Sequence, residues 1–150
     1  MRKINWLLIH FLFLIYSANT WAVGSSVSPV GMWTTIDDVT HTKRSIVQIW
    51  QNNGVYYGKI LKVYSQPGDT GFCKKCSGSL KNKPILDLRI IWDVKQTGEN
   101  EWSQGYILDP KSGNTYRVRF TLSSDNKLLN VRGYIGIPLL GRTQTWLRNS

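Results

Sequence analysis

Thr115-Tyr116-Arg117-Val118-Arg119-Phe120-Thr121-Leu122 is the stretch on which the reading of the fold turns. Tyr116, Val118, Phe120 and Leu122 fall on one side. Thr115, Arg117, Arg119 and Thr121 fall on the other. This period of two marks a half-buried strand, apolar inward and basic outward. Working outward, turn signals recur roughly every 8–12 residues and no helical stripe competes with them, a spacing typical of all-β barrels and sandwiches. Strands are expected at about 31–36, 43–51, 55–64, 86–93, 102–108, 115–122, 128–135 and 142–148. Asn53-Gly54 is the sharpest hairpin signal, because a two-residue turn between right-twisted strands requires positive φ. Gln96-Thr97-Gly98, Asp109-Pro110-Lys111-Ser112-Gly113 and Ser123-Ser124-Asp125-Asn126 read as further turns. Short connections between successive strands predict an up-and-down antiparallel β-barrel of about eight strands, closed so that no edge is left. The long connection is 65–85.

In such a barrel the first and last strands become neighbours. Gly31-Met32-Trp33 opens the first, and Arg142, Trp146 and Arg148 lie in the last. An arginine there can stack on the Trp33 ring and donate to loop carbonyls. The barrel-closure set is taken as Trp33, Arg142 and Trp146. A Gly-x-Trp with a late arginine resembles the closure of lipocalin-like, or calycin, barrels.

Residues 1–22 carry the marks of an export signal. Arg2 and Lys3 precede an apolar run from Ile4 to Tyr16, and small residues at Ser17, Ala18 and Ala22 suit cleavage. The expected organisation is a signal peptide over 1–22 and a single barrel domain over 23–150, with no membrane span in the mature chain. The destination would be the periplasm or the exterior. The whole chain is +10, and without Arg2 and Lys3 it is +8. This balance permits attraction to anionic surfaces without naming one.

Cys73 and Cys76 are the only cysteines, in the long 65–85 connection. Lys74 and Lys75 between them would favour a thiolate, as in a redox centre. Thioredoxin-type centres, however, sit in a βαβ context that this chain lacks. An oxidising destination favours a structural disulfide, with thiol-disulfide chemistry as the alternative. A zinc site needs about four ligands, and the mature chain adds only His41 and carboxylates such as Asp69, so no metal or cofactor is expected. Asp37 and Asp38 are neighbours that would face opposite ways on a strand, which argues against a paired acid–base site. No catalytic residues are assigned. Tyr56, Tyr57, Lys59, Lys62 and Tyr64, with Arg117 and Arg119, come nearest to an aromatic-basic nucleic-acid face. A solvated basic face over a core of aromatics explains the same pattern, and no nucleic-acid partner is expected.

Several motifs resemble, together and in order, the uncharacterised bacterial secreted proteins of domain-of-unknown-function family 2147. They are Gly31-Met32-Trp33 with Asp37-Asp38; Cys73-x-x-Cys76-x-Gly78-x-Leu80-Lys81-x-Lys83-Pro84-Ile85; Gly105-x-Ile107-Leu108-Asp109-Pro110-x-x-Gly113-x-Thr115-Tyr116; Val131-Arg132-Gly133-Tyr134-Ile135-Gly136; and Gly141-Arg142-Thr143-Gln144-Thr145-Trp146. Thr40-His41-Thr42-Lys43 and Asp87 depart from the family's usual turns. The resemblance implies an exported lipocalin-like barrel and no established activity.

The expected function is therefore non-enzymatic binding of a small hydrophobic or anionic ligand. Lining candidates are Trp33, Trp50, Trp92, Tyr116, Val118 and Phe120, with Leu122 on the same inward face. A barrel this small can instead be filled by its own side chains. A redox role for Cys73 and Cys76, or a surface-interaction role for a basic face, are the alternatives. The sequence carries no signal of oligomeric state.

Overall fold

The alternation over 115–122 is realised in β6 (Asn114–Leu122), where Val118, Phe120 and Leu122 are buried and Thr115, Arg117 and Thr121 are exposed. In the computed structural model, which describes residues 27–149, seven other strands share the sheet: β1 (Gly31–Ile36), β2 (Lys43–Asn52), β3 (Val55–Val63), β4 (Arg89–Gln96), β5 (Glu101–Asp109), β7 (Leu128–Tyr134) and β8 (Arg142–Arg148). They pair antiparallel in sequence order and close into an eight-stranded barrel. The expected export segment, 1–22, lies outside the described residues. Asn53 and Gly54 form the two-residue β2–β3 turn with φ of 50° and 79°, the left-handed pair that this hairpin demands.

One strand is displaced from its expected position. β4 begins at Arg89 rather than 86, because Asp87 takes φ 61° and the chain there bonds only irregularly to Ile60, through Asp87 N–H to Ile60 O and Ile60 N–H to Leu88 O. Register shifts interrupt the β1–β2, β2–β3, β3–β4 and β5–β6 ladders. Such bulges add local twist and bend, which a small barrel needs in order to close.

The interior is filled. Trp33, Val47, Ile49, Ile91, Val94, Trp102, Val118, Phe120 and Leu129 are each no more than 1% exposed. Apolar side chains therefore point in, while Thr115, Arg117, Thr121, Asn130, Thr143 and Thr145 face water. This is the reverse of the pattern of a bilayer-spanning barrel. Among the described residues no helix is long and apolar enough to cross a membrane.

At the end where β1 begins and β8 finishes, Arg148 lies 4.3 Å over the Trp33 ring. Its guanidinium donates to Ser28 O and Val30 O, both at 2.9 Å, and to Asn126 O. Trp33 Nε1 donates to Pro29 O at 2.8 Å. The closing arginine is thus Arg148 and not Arg142. In an antiparallel seam the start of the first strand meets the end of the last, so a partner for Trp33 must come from the far end of β8. Arg142 stands at the opposite end, in an ion pair with Asp38. Trp146, the third residue of the expected closure set, is 2% exposed in the interior.

Arg148→Ala removes a charged donor shared by three carbonyls. The expected loss is about 2–4 kcal/mol in denaturant unfolding, with Arg148→Lys recovering only part of it. A loss below about 0.5 kcal/mol, the range of ordinary surface changes, would show that this end closes without it.

Candidate functional site

The long connection folds upon itself before it meets the barrel. Cys73 N–H donates to Lys83 O, Ile85 N–H to Gly71 O and Asn82 N–H to Cys73 O, and Phe72 pairs with Pro84. Cys73 and Cys76 are joined by a disulfide. They are 0% and 3% exposed, in one buried cluster with Leu88 and Leu108, and Leu80 and Ile85 pack against it. The segment is seated on the β5–β6 turn. Cys73 Sγ touches Pro110 O, and a Cβ on Gly113 (φ 76°) would lie 2.2 Å from Lys75 O. Gly113 therefore serves two needs, a left-handed backbone and room for the cysteine turn. Thiol exchange requires a thiolate to reach a disulfide sulfur in line, and both sulfurs here are covered.

The lining candidates divide. Trp33, Val118 and Phe120 are fully buried inside the barrel, where neighbouring side chains occupy the space. Leu122, on the same face, is 3% exposed. Tyr116 is half-buried at the Arg142 end, its hydroxyl accepting from Asn114 Nδ2. Trp50 and Trp92 do not line the interior. Trp50 alternates with the inward Val47 and Ile49, and Trp92 stands opposite Tyr106, which shares the outer face with Arg117.

On that outer wall the structure assembles a site that the sequence reading did not single out. Trp50 is opposite Tyr57, Gln48 opposite Lys59, and Lys59 opposite Arg89, across β2, β3 and β4. The Trp50 and Tyr57 rings stack with centroids 5.8 Å apart. The Arg89 guanidinium lies 5.7 Å from the first ring and 5.4 Å from the second. Gln48, Trp50, Lys59, Asp87 and Arg89 line an open hollow of about 420 Å³. Asp87 is paired with Lys59 at 3.0 Å, whereas Arg89 makes no ion pair among the described residues. The hollow thus offers an aromatic wall, an amide, the Lys59–Asp87 ion pair and, in Arg89, one cation with no carboxylate partner among the described residues. These suit an anion that also carries a flat or apolar part. A signal for it was present in the chain: a two-residue turn at Asn53-Gly54 sets Trp50 against Tyr57 and Gln48 against Lys59. The aromatic-basic run splits accordingly. Tyr57 and Lys59 face out, while Tyr56 is buried edge-on to Trp102 and its hydroxyl accepts from Gln51.

The acids mostly serve turns. Asp37 Oδ1 accepts from the N–H groups of Thr40 and Val39, both at 2.9 Å, and these bonds hold its pKa down at about 2. The Gln66 N–H, with Arg44 beside it, lowers Asp69, and the Ser123 hydroxyl and Lys127 N–H lower Asp125. His41, exposed with φ 55°, belongs to the same β1–β2 turn as Asp37. Among the described residues no group of three or more His, Cys, Asp or Glu is gathered as metal ligands.

A family model described as an uncharacterized protein conserved in bacteria (DUF2147) matches residues 31–148. No curated protein matches the chain. Among solved structures, a Helicobacter pylori protein described as belonging to the lipocalin family superposes with a TM-score of 0.71 and 22% identity. The match covers 83% of this chain and 84% of that one. It is a likeness of fold, that of a lipocalin-like barrel.

Two outcomes follow from the turn geometry. Gly113→Ala should cost about 2 kcal/mol or more, because strain at positive φ adds to the clash with Lys75. The double substitution Cys73→Ser/Cys76→Ser should cost about 2 kcal/mol or less from loop closure, with the barrel's far-ultraviolet circular dichroism retained; collapse of that signal would make the disulfide essential to the barrel. The lowered acids are more acidic folded than unfolded. Their contribution to stability is complete above the ordinary carboxylate pKa of about 4 and fades as pH falls toward about 2. Unfolding midpoints should be level from about pH 7 to 5 and drop below about 4. Asp37→Asn, which keeps the accepting oxygen, should make that drop shallower.

Proposed function

The chain belongs to the DUF2147 family of proteins conserved in bacteria, and on that premise we propose that it is an exported, non-enzymatic binding protein for a small anionic ligand with an apolar or aromatic part. The ligand is held on the outer wall, against Trp50, Tyr57, Arg89 and Lys59. The observation that carries this reading is the uncompensated Arg89 guanidinium over a stacked Trp50–Tyr57 pair, at the rim of an open hollow. A filled interior, with nine side chains at 1% exposure or less, supports a site outside rather than within. The covered sulfurs of Cys73 and Cys76 weigh against the thiol-disulfide alternative. Export rests on the character of residues 1–22.

Titration with 1-naphthalenesulfonate, followed by amide and indole chemical shifts, tests the site. Shifts should concentrate on Trp50 Nε1–H, Lys59 and Arg89, and Arg89→Ala should weaken binding about tenfold, the scale of one charge-assisted hydrogen bond. Arg117→Ala, which removes a cation elsewhere on the wall, should leave it unchanged. Shifts centred on Trp33 and Trp102 would move the site to the interior. Failure to bind the probe, together with no small molecule retained on envelope-purified protein in native mass spectrometry, would overturn the binding reading.

A further inference from the structure

The apolar side chains that the fold leaves outside are not scattered. Val39 is 82% exposed, Leu139 81%, Leu140 77%, Ile135 70% and Ile137 56%, the highest values among the exposed large hydrophobics. Four belong to the β7–β8 connection and Val39 to the β1–β2 connection. Both loops lie at the end opposite Trp33 and Arg148, and the Arg142–Asp38 ion pair ties them together. We propose that these two loops form an apolar tip that inserts into the surface of an anionic lipid bilayer.

Three observations favour lipid over other occupants. The first is the chemistry of the side chains. All five are aliphatic and protrude, with no aromatic among them, whereas protein interfaces centre on aromatic and arginine anchors in pockets. The open hollow near Trp50 lies elsewhere, on the wall, and a second, lined by Leu80, Leu86 and Leu88, lies along the long connection.

The second is the backbone. A loop entering hydrocarbon must satisfy its own polar groups, because no water is there to do so. The tip is already braced. Arg132 donates through Nε to Pro138 O at 2.6 Å and through Nη2 to Leu139 O at 3.0 Å. Leu140 N–H donates to Ile137 O, and Gly141 N–H to Pro138 O, in a short 3-10 turn over Pro138–Leu140. The leucines are thus held outward by a pre-paired backbone. A Cβ on Gly141 would lie 2.6 Å from Gly133 O, so the turn is also packed closely on β7.

The third is charge. Lys43 and Lys111 are exposed at this end, and Arg142 has a side-chain exposure of 68%. Of the acids there, Asp38 is paired with Arg142 and Asp69 with Arg44, and Asp37 and Asp109 are spent on their own turns. With a formal charge of +8 once Arg2 and Lys3 are set aside, an anionic surface is the complementary one. Aliphatic insertion beside a basic collar is the pattern of peripheral, interfacial attachment rather than of spanning.

The test uses vesicles of phosphatidylcholine alone and of phosphatidylcholine with phosphatidylglycerol. The wild-type chain without residues 1–22 should sediment with the anionic vesicles, less so as salt rises. Leu139→Ser/Leu140→Ser should lower partitioning at least about tenfold while leaving the unfolding midpoint within the range of ordinary surface substitutions. Leu139→Cys carrying a bimane label should be quenched by nitroxide lipids in the anionic vesicles, and the same label at Asn130→Cys, on the barrel wall, should not. No sedimentation at low salt, equal sedimentation of the serine variant, or an unquenched label at 139 would each overturn the proposal. A dimer in sedimentation velocity that the serine variant abolishes, without vesicle binding, would reassign the tip to contact between two copies.

Discussion

The seam between β1 and β8 is the narrowest join in the molecule, and the barrel exists only because it holds. Neighbouring strands elsewhere pair over four to eight positions, but this seam pairs only Trp33 with Arg148 and Thr34 with Leu147. What two positions cannot supply, Arg148 adds. It covers the Trp33 ring and collects carbonyls from Ser28, Val30 and Asn126, and Asn149 N–H reaches Met32 O beyond it. Without closure, β1 and β8 would each present an open edge, and the inward faces of Trp33 and Trp146 would be uncovered. Burying a guanidinium is costly unless its donors are satisfied. Here they are satisfied by loop ends that would otherwise hold unpaired carbonyls.

Closure then sets what the interior can be. An eight-stranded barrel is wide enough for its own inward side chains and little more. Trp33, Trp102 and Phe120, with the aliphatics around them, use that space. Under the proposed function, recognition chemistry falls outside, on residues that alternate with the core. Trp50, Lys59 and Arg89 are such residues, brought together by strand register rather than by a cavity. The tip at the end away from the seam obeys the same logic from the opposite side: its aliphatics have no room inside and, among the described residues, nothing covers them.

Much of this was legible in the chain. Period-two alternation over 115–122 and the Asn53-Gly54 turn carry the fold class, because side-chain direction and hairpin register are local properties. The family likeness rests on motifs running from Gly31 to Trp146. What escaped the reading depends on counting across the barrel. Choosing Arg148 over Arg142 needs the direction of the closing pair as well as its existence. The start of β4 is not local either: Leu86 and Leu88 are apolar enough for a strand, yet Asp87 turns left-handed between them. Trp50 and Trp92, named as lining candidates, face outward, as parity with Ile49 in one strand and with Tyr106 across the other requires. The exposed run Ile135–Leu140 gave no periodic signal, since a braced loop has none to give.

The two chain ends of the barrel leave from the same place. Arg148 reaches Val30 over a sequence separation of 118 residues, while the other strand pairs are consecutive in the chain and, β3–β4 apart, joined by short turns. Hairpins of that kind can zip early and locally, so the entropy of the search is concentrated in one late event, the meeting of β1 with β8. A circular permutant that joined residue 149 to residue 28 and opened at Asn53-Gly54 would make that event local and the β2–β3 pairing remote. Its folding rate, set against that of the natural order, would report how much of the barrier is the seam.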